Sequence, residues 1–147
     1  MLKLNDYADN ITLSVVWEDE FSIEVRIVAN TLLITVSHNY YLDDELILKL
    51  SQYICDYCDG KEQTACFVSG PFTGKYIPAF SFSIDKIDNR GHLYVTLDLE
   101  LDDVDDRSHR CKCYIKCEIG QLSRFGKRIR KLLSREIGTT ISLIDDE

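Results

Sequence analysis

Two long tracts of the chain alternate apolar and polar residues with a period of two, and nothing else in it restricts the fold as strongly. In the first tract, Ile11, Leu13, Val15 and Trp17 fall on one side of an extended segment. Phe21, Ile23, Val25 and Ile27 fall on one side of the next, with Ser22, Glu24 and Arg26 opposite, and Leu32, Ile34 and Val36 form a third set. This periodicity reads as three half-buried β-strands. Ala29–Asn30 fits a two-residue hairpin turn that sets Ile27 opposite Leu32, Val25 opposite Ile34 and Ile23 opposite Val36. In the second tract Phe80, Phe82 and Ile84 alternate with Ser81, Ser83 and Asp85, and a turn at 88–91 leads into Leu93, Val95, Leu97, Leu99 and Leu101. An acidic connection follows, then a strand with Cys111, Cys113, Ile115, Cys117 and Ile119 on one face. In that hairpin Glu100 is expected opposite Lys112, with His109 near Asp103.

Two segments carry helical spacing instead. Leu46, Ile47, Leu50, Ile54, Tyr57 and Cys58 follow Asp43 and Asp44, either of which can cap a helix, and Gly60 can stop it. Leu122, Phe125, Ile129, Leu132, Leu133 and Ile137 form a second apolar stripe that is expected to end at Gly138. Residues 139–147 read as a short strand or a frayed tail. The order βββ-α-ββββ-α places the chain in the α+β class. The expected architecture is a mainly antiparallel sheet of about six to seven strands with two helices packed on one face. A length of 147 residues suits a single α+β domain over 1–147.

The cysteines invite a metal or redox reading, because "HRCKCYIKC" at 109–117 and "CDYC" at 55–58 cluster five of the six. Strand geometry opposes it for the first group. Cys111 and Cys117 are separated by roughly 20 Å along an extended segment, far beyond the spread of thiolates on one zinc. These cysteines instead occupy positions equivalent to the leucines and valine of the preceding strand, where cysteine packs as a small hydrophobe. The "CDYC" pair falls at the end of a helix beside Asp56 and Asp59, where negative neighbours raise a thiol pKa. No metal and no cofactor is expected.

The histidines His38, His92 and His109 form no nucleophile–base–acid set, and no phosphate loop, dinucleotide fingerprint, HExxH or GxSxG motif is present. The reading is therefore not an enzyme. A net charge of −8 opposes nucleic-acid binding, and no stretch is apolar enough to span a membrane. With no signal peptide at the start, the chain is expected in the cytoplasm, with its thiols reduced. The second helix concentrates Arg124, Lys127, Arg128, Arg130, Lys131 and Arg135 against Glu136. These cations are read as partners for acids of the same chain.

From Gly91 to Leu133, the strand "HLYVTLDLEL", a polar tip, the strand "CYIKCEI" and the helix "GQLSRFGKRIRKLL" follow one another. This block resembles bacterial polymorphic-toxin immunity proteins, in which a β-meander ends in a helix whose apolar spacing Leu122, Phe125 and Ile129 match. The resemblance implies a cytosolic protein that binds and neutralises a cognate toxin, with a basic toxin domain suited to the acidity. The partner-binding residues expected on charge and aromatic character are Asp102, Asp103, Asp105 and Asp106 with exposed Tyr40, Tyr41 and Tyr76. Such a chain would act as a monomer or dimer. The alternatives are an acidic secretion-chaperone-like adaptor and a small metal- or thiol-containing module.

Overall fold

A computed structural model describes residues 9–61, 66–72, 77–102 and 108–144. The strands are β1 (Asn10–Glu18), β2 (Ile23–Asn30), β3 (Thr35–Leu42), β4 (Phe67–Val68), β5 (Phe80–Lys86), β6 (His92–Asp102), β7 (Ser108–Glu118) and β8 (Thr140–Ser142). Helix α1 (Asp44–Cys58) follows β3, and α2 (Ile119–Arg128) follows β7 and tightens into a 3-10 segment, Ile129–Ser134. The α+β class holds. The strands form two antiparallel sheets instead of one, in the orders β3-β2-β1-β8 and β4-β5-β6-β7. The reason is tertiary. The chain starts a new meander after α1, and its C-terminal strand returns to β1, setting Leu13 opposite Ile141. One continuous buried cluster joins both sheets and both helices.

The second sheet follows its alternation closely. Phe80, Phe82, Leu93, Val95, Leu97 and Leu99 are buried. The β6–β7 register sets Glu100 opposite Arg110 and Leu101 opposite His109, two residues away from the expected pairing. An even shift preserves the faces. Cys111, Cys113 and Cys117 therefore stay on the apolar face, now opposite Leu99, Leu97 and Leu93.

The first sheet departs from expectation in three places. Between Val15 and Trp17 the register slips, so that Val15 faces Val25 and Trp17 faces Glu24. This β-bulge turns Trp17 out of the core and onto the outer face, where it is 45% exposed. Phe21 stands in a turn held by the Asp19 carboxylate, which accepts the Phe21 and Ser22 N–H groups, and is also exposed. The β2–β3 turn is not Ala29–Asn30. β2 continues through Asn30, and Thr31–Ile34 form the turn, with Thr31 N–H donating to Ile34 C=O and Thr31 Oγ1 accepting from the Leu33 and Ile34 N–H groups. A two-residue turn of the favoured type would require positive φ at Ala29, which its Cβ opposes. As a result Leu32, Leu33 and Ile34 are exposed, and Val25 and Ile23 pair with Tyr40 and Leu42.

The helices are set by local signals and by one close approach. Asp43 caps α1 by accepting the Leu46 N–H at 2.8 Å, and Gly60, at φ 75°, carries the chain away from its end. Glu118 and Gln121 form a capping box at the start of α2. Ser51 of α1 donates to the Gly126 carbonyl at 2.7 Å, and a Cβ on Gly126 would come to 2.7 Å from Ile54 Cγ2. Glycine is thus what lets the helices meet. The expected second helix is shortened at its far end. Arg135, at φ 60°, terminates the 3-10 segment, and its guanidinium donates to the Asp19 and Glu20 carbonyls and to Asp44. Ile137 is consequently exposed. The tail is a strand over Thr140–Ser142, with Ile141 and Leu143 buried.

Candidate protein-binding face

The edge strand β3 of the first sheet lies against the C-terminal end of β6 in the second, and the side chains of Tyr40, His38, Phe80 and Asp102 make the junction. The Tyr40 hydroxyl donates to the Glu100 carbonyl at 2.8 Å. The Tyr40 ring packs edge-on against Phe80 at 5.1 Å and His38 at 5.6 Å. The His38 ring, half-buried, is hydrogen-bonded to the Asp102 carboxylate. Tyr40 is fully buried, so the expectation that it is an exposed anchor is corrected. The four-residue β2–β3 turn places it opposite Val25 on the core face. Burial and the nearby Glu100 and Asp102 push its phenol well above the usual tyrosine range.

Tyr41, one residue on, points the other way and is 45% exposed. The bulge in β1 brings the Trp17 ring edge-on to it, with centroids 6.5 Å apart. Glu24, across the strand pair, acts on the Tyr41 phenol through its charge and a hydrogen bond and raises its pKa. A polar depression of about 520 Å³ opens beside this pair, lined by Glu24, Arg26, His38, Asn39, Tyr41 and Asp102. Arg26 Nε donates to Asn39 Oδ1 at 3.2 Å across it. A more apolar depression of about 490 Å³ adjoins it, sharing Tyr41 and Pro78 and reaching Pro71 and the exposed Ile77.

Two of the expected partner-binding residues, Tyr41 and Asp102, are thus brought to one depression although 61 positions separate them in the chain. Asp103, Asp105, Asp106 and Tyr76 lie outside the described residues. Trp17 and Glu24 complete the face and were not legible as part of it, because the bulge that exposes Trp17 has no glycine or turn residue to mark it. The signal available was the chain's single tryptophan standing directly before Glu18, Asp19 and Glu20.

The other constellations resolve into structural roles. None of the six cysteines is joined in a disulfide. Burial is the largest cause that pushes the Cys113 and Cys117 thiols up to about 12 and that of Cys58 up to about 11. Cys111 and Cys113 Sγ lie 3.6 Å apart. Among the described residues no group of three or more His, Cys, Asp or Glu side chains could hold a metal ion, and no helix is long and apolar enough to cross a membrane. His92 bonds Asp88 through Nδ1 at 2.7 Å within the β5–β6 turn. Three cations of the basic helix serve the fold: Arg128 donates to the Ser142 carbonyl, Arg130 to Ser51 and Gln52, and Arg135 as described.

The chain matches no protein-family model, and neither a curated protein nor a solved structure matches it.

Proposed function

We propose that this chain is a non-enzymatic protein-binding protein of the immunity type, which neutralises a basic toxin domain in the bacterial cytoplasm by direct contact. The observation that carries the reading is the exposed Trp17–Tyr41 pair standing beside the Glu24 and Asp102 carboxylates. Tryptophan and tyrosine are the residues most often responsible for binding energy at protein interfaces, where a rigid ring enters a partner pocket. Flanking carboxylates steer a basic partner and add on-rate that salt removes. The chain's net charge of −8 acts in the same direction. The block from Gly91 to Leu133 that resembles immunity proteins supplies β6, whose end presents Asp102 to this face.

The test is affinity capture from lysate of the native host at low and high salt, with the wild-type chain and with Tyr41→Ala and Asp102→Lys variants. One stoichiometric basic protein, held by wild type and released by either substitution or by salt, supports the reading. Equal retention by all three chains contradicts the assignment of the face. Retention of nothing by wild type, when the host expresses its toxins, contradicts the function.

A further inference from the structure

A second concavity lies at the other end of β6. The strand runs from His92 to Asp102, and at about 3.3 Å per residue this end is roughly 30 Å from the Asp102 depression. The groove has a volume of about 700 Å³ and runs between the end of α1, the β5–β6 turn and the start of α2. This is the size of a pocket that holds a small organic ligand.

Its rim is basic and its floor is apolar. Lys61, Lys86 and Arg90 stand around it, in a chain whose net charge is −8. Lys86 and Arg90 make no ion pair among the described residues. Lys61 reaches only loosely to Asp56, at 3.9 Å, and Asp56 also accepts from Gln52 at 2.6 Å. One carboxylate, Asp88, lines the groove, and both its oxygens are committed to its own turn. Oδ1 accepts the Arg90 and His92 N–H groups and Oδ2 meets His92 Nδ1. Glu118, at the head of α2, is turned into the capping box. Cys58 on the wall stays a neutral thiol, because burial above all, and then Cys55 and Asp59, push it up to about 11 against the smaller pull of Lys127. The floor is apolar: Leu93 is buried, Tyr57 is half-buried and Ile119 is 38% exposed.

Cations at the rim, two of them without an ion pair among the described residues, and an apolar floor suit a ligand that carries both an anionic group and an apolar body. We infer that this groove is a binding site for a small organic anion, a phosphate or carboxylate ester or acid with an aromatic or alkyl body, held by Lys61, Lys86 and Arg90 over Tyr57, Leu93 and Ile119. The site is independent of the partner-binding face and does not require that the chain bind a protein.

The experiment is an amide chemical-shift titration of the full chain with phenyl phosphate, run beside inorganic phosphate and phenol. The expected result is a saturable shift of the Lys61, Gly91, Leu93 and Ile119 amides with phenyl phosphate and weaker binding of the two half-probes. A Lys86→Gln/Arg90→Gln double variant should bind phenyl phosphate about tenfold more weakly, and Ile119→Ser should weaken it while leaving the response to inorganic phosphate unchanged. Both variants alter exposed or half-exposed positions, and their own amide spectra report whether the fold is intact. The inference is overturned if no saturable shift occurs at these amides, if phenol binds as well as phenyl phosphate, or if the double variant binds it as tightly as wild type.

Discussion

Replacing Tyr40 by phenylalanine isolates one hydrogen bond at the place where the two sheets meet. The ring stays, and with it the edge-on packing against Phe80 at 5.1 Å. Only the bond from the phenol to the Glu100 carbonyl, 2.8 Å long, is removed. Both residues are buried, Tyr40 to 0% exposure and Glu100 to 5%, so water does not replace the donor. A buried bond of this kind contributes about 1–2 kcal/mol. For a chain of this size that corresponds to a fall in Tm of roughly 3–6 °C. The assay is urea unfolding followed by tryptophan fluorescence, with thermal melts beside it, and Tyr41→Phe as the control. Tyr41 is on the outer face, so its substitution should stay within about 0.5 kcal/mol. If Tyr40→Phe changed stability by less than about 0.3 kcal/mol, or if Tyr41→Phe cost as much, the register of β2 and β3 described above would be wrong.

Three further outcomes follow from packing and ionisation. Gly126→Ala should destabilise by about 1–2 kcal/mol, because overpacking against Ile54 outweighs the gain in helix propensity; Gly120→Ala, whose Cβ would meet only the Arg124 side chain at 3.5 Å, should be neutral or stabilising in the same urea titration. Leu32→Ala should leave stability within about 0.5 kcal/mol, since the side chain is 63% exposed, whereas a core leucine would cost about 2–5 kcal/mol. The Cys113 and Cys117 thiols are raised from 9.0 to about 12, so the folded chain keeps these protons longer than the unfolded chain. Their stabilising contribution is complete below pH 9 and is lost as pH rises towards 12. Urea midpoints at about pH 8 and about pH 10.5 should therefore fall more steeply with pH for wild type than for a Cys113→Ala/Cys117→Ala chain.

The second sheet was legible because its three long strands keep one face apolar over most of their length, and because an error of two residues in the β6–β7 register leaves those faces unchanged. Asp43 and Gly60 bounded α1 by chemistry that acts locally. The first sheet was harder for equally physical reasons. Leu32, Leu33 and Ile34 look like strand residues although they form a turn, and the contrary signal was Ala29, a poor residue for the φ a two-residue turn demands. Trp17 continues a perfect alternation, and the bulge that reverses it is fixed by pairing with Ile23 and Glu24. The division into two sheets rests on β8 choosing β1, a contact between residues more than 120 positions apart. Tyr41 and Asp102 could be nominated separately from charge and aromatic character. Their convergence depends on β3 lying against β6, which no local pattern encodes.

The most direct test of the account is the affinity of the captured partner for three chains: wild type, Trp17→Ala/Tyr41→Ala, and Lys86→Gln/Arg90→Gln. The two exposed aromatics are assigned to the interface, and removing both should weaken binding by about 2–4 kcal/mol, at least thirtyfold in Kd. The groove variant should bind as wild type does. Full affinity in the aromatic variant, with its fold intact by urea unfolding, would contradict the central claim that this face binds the partner.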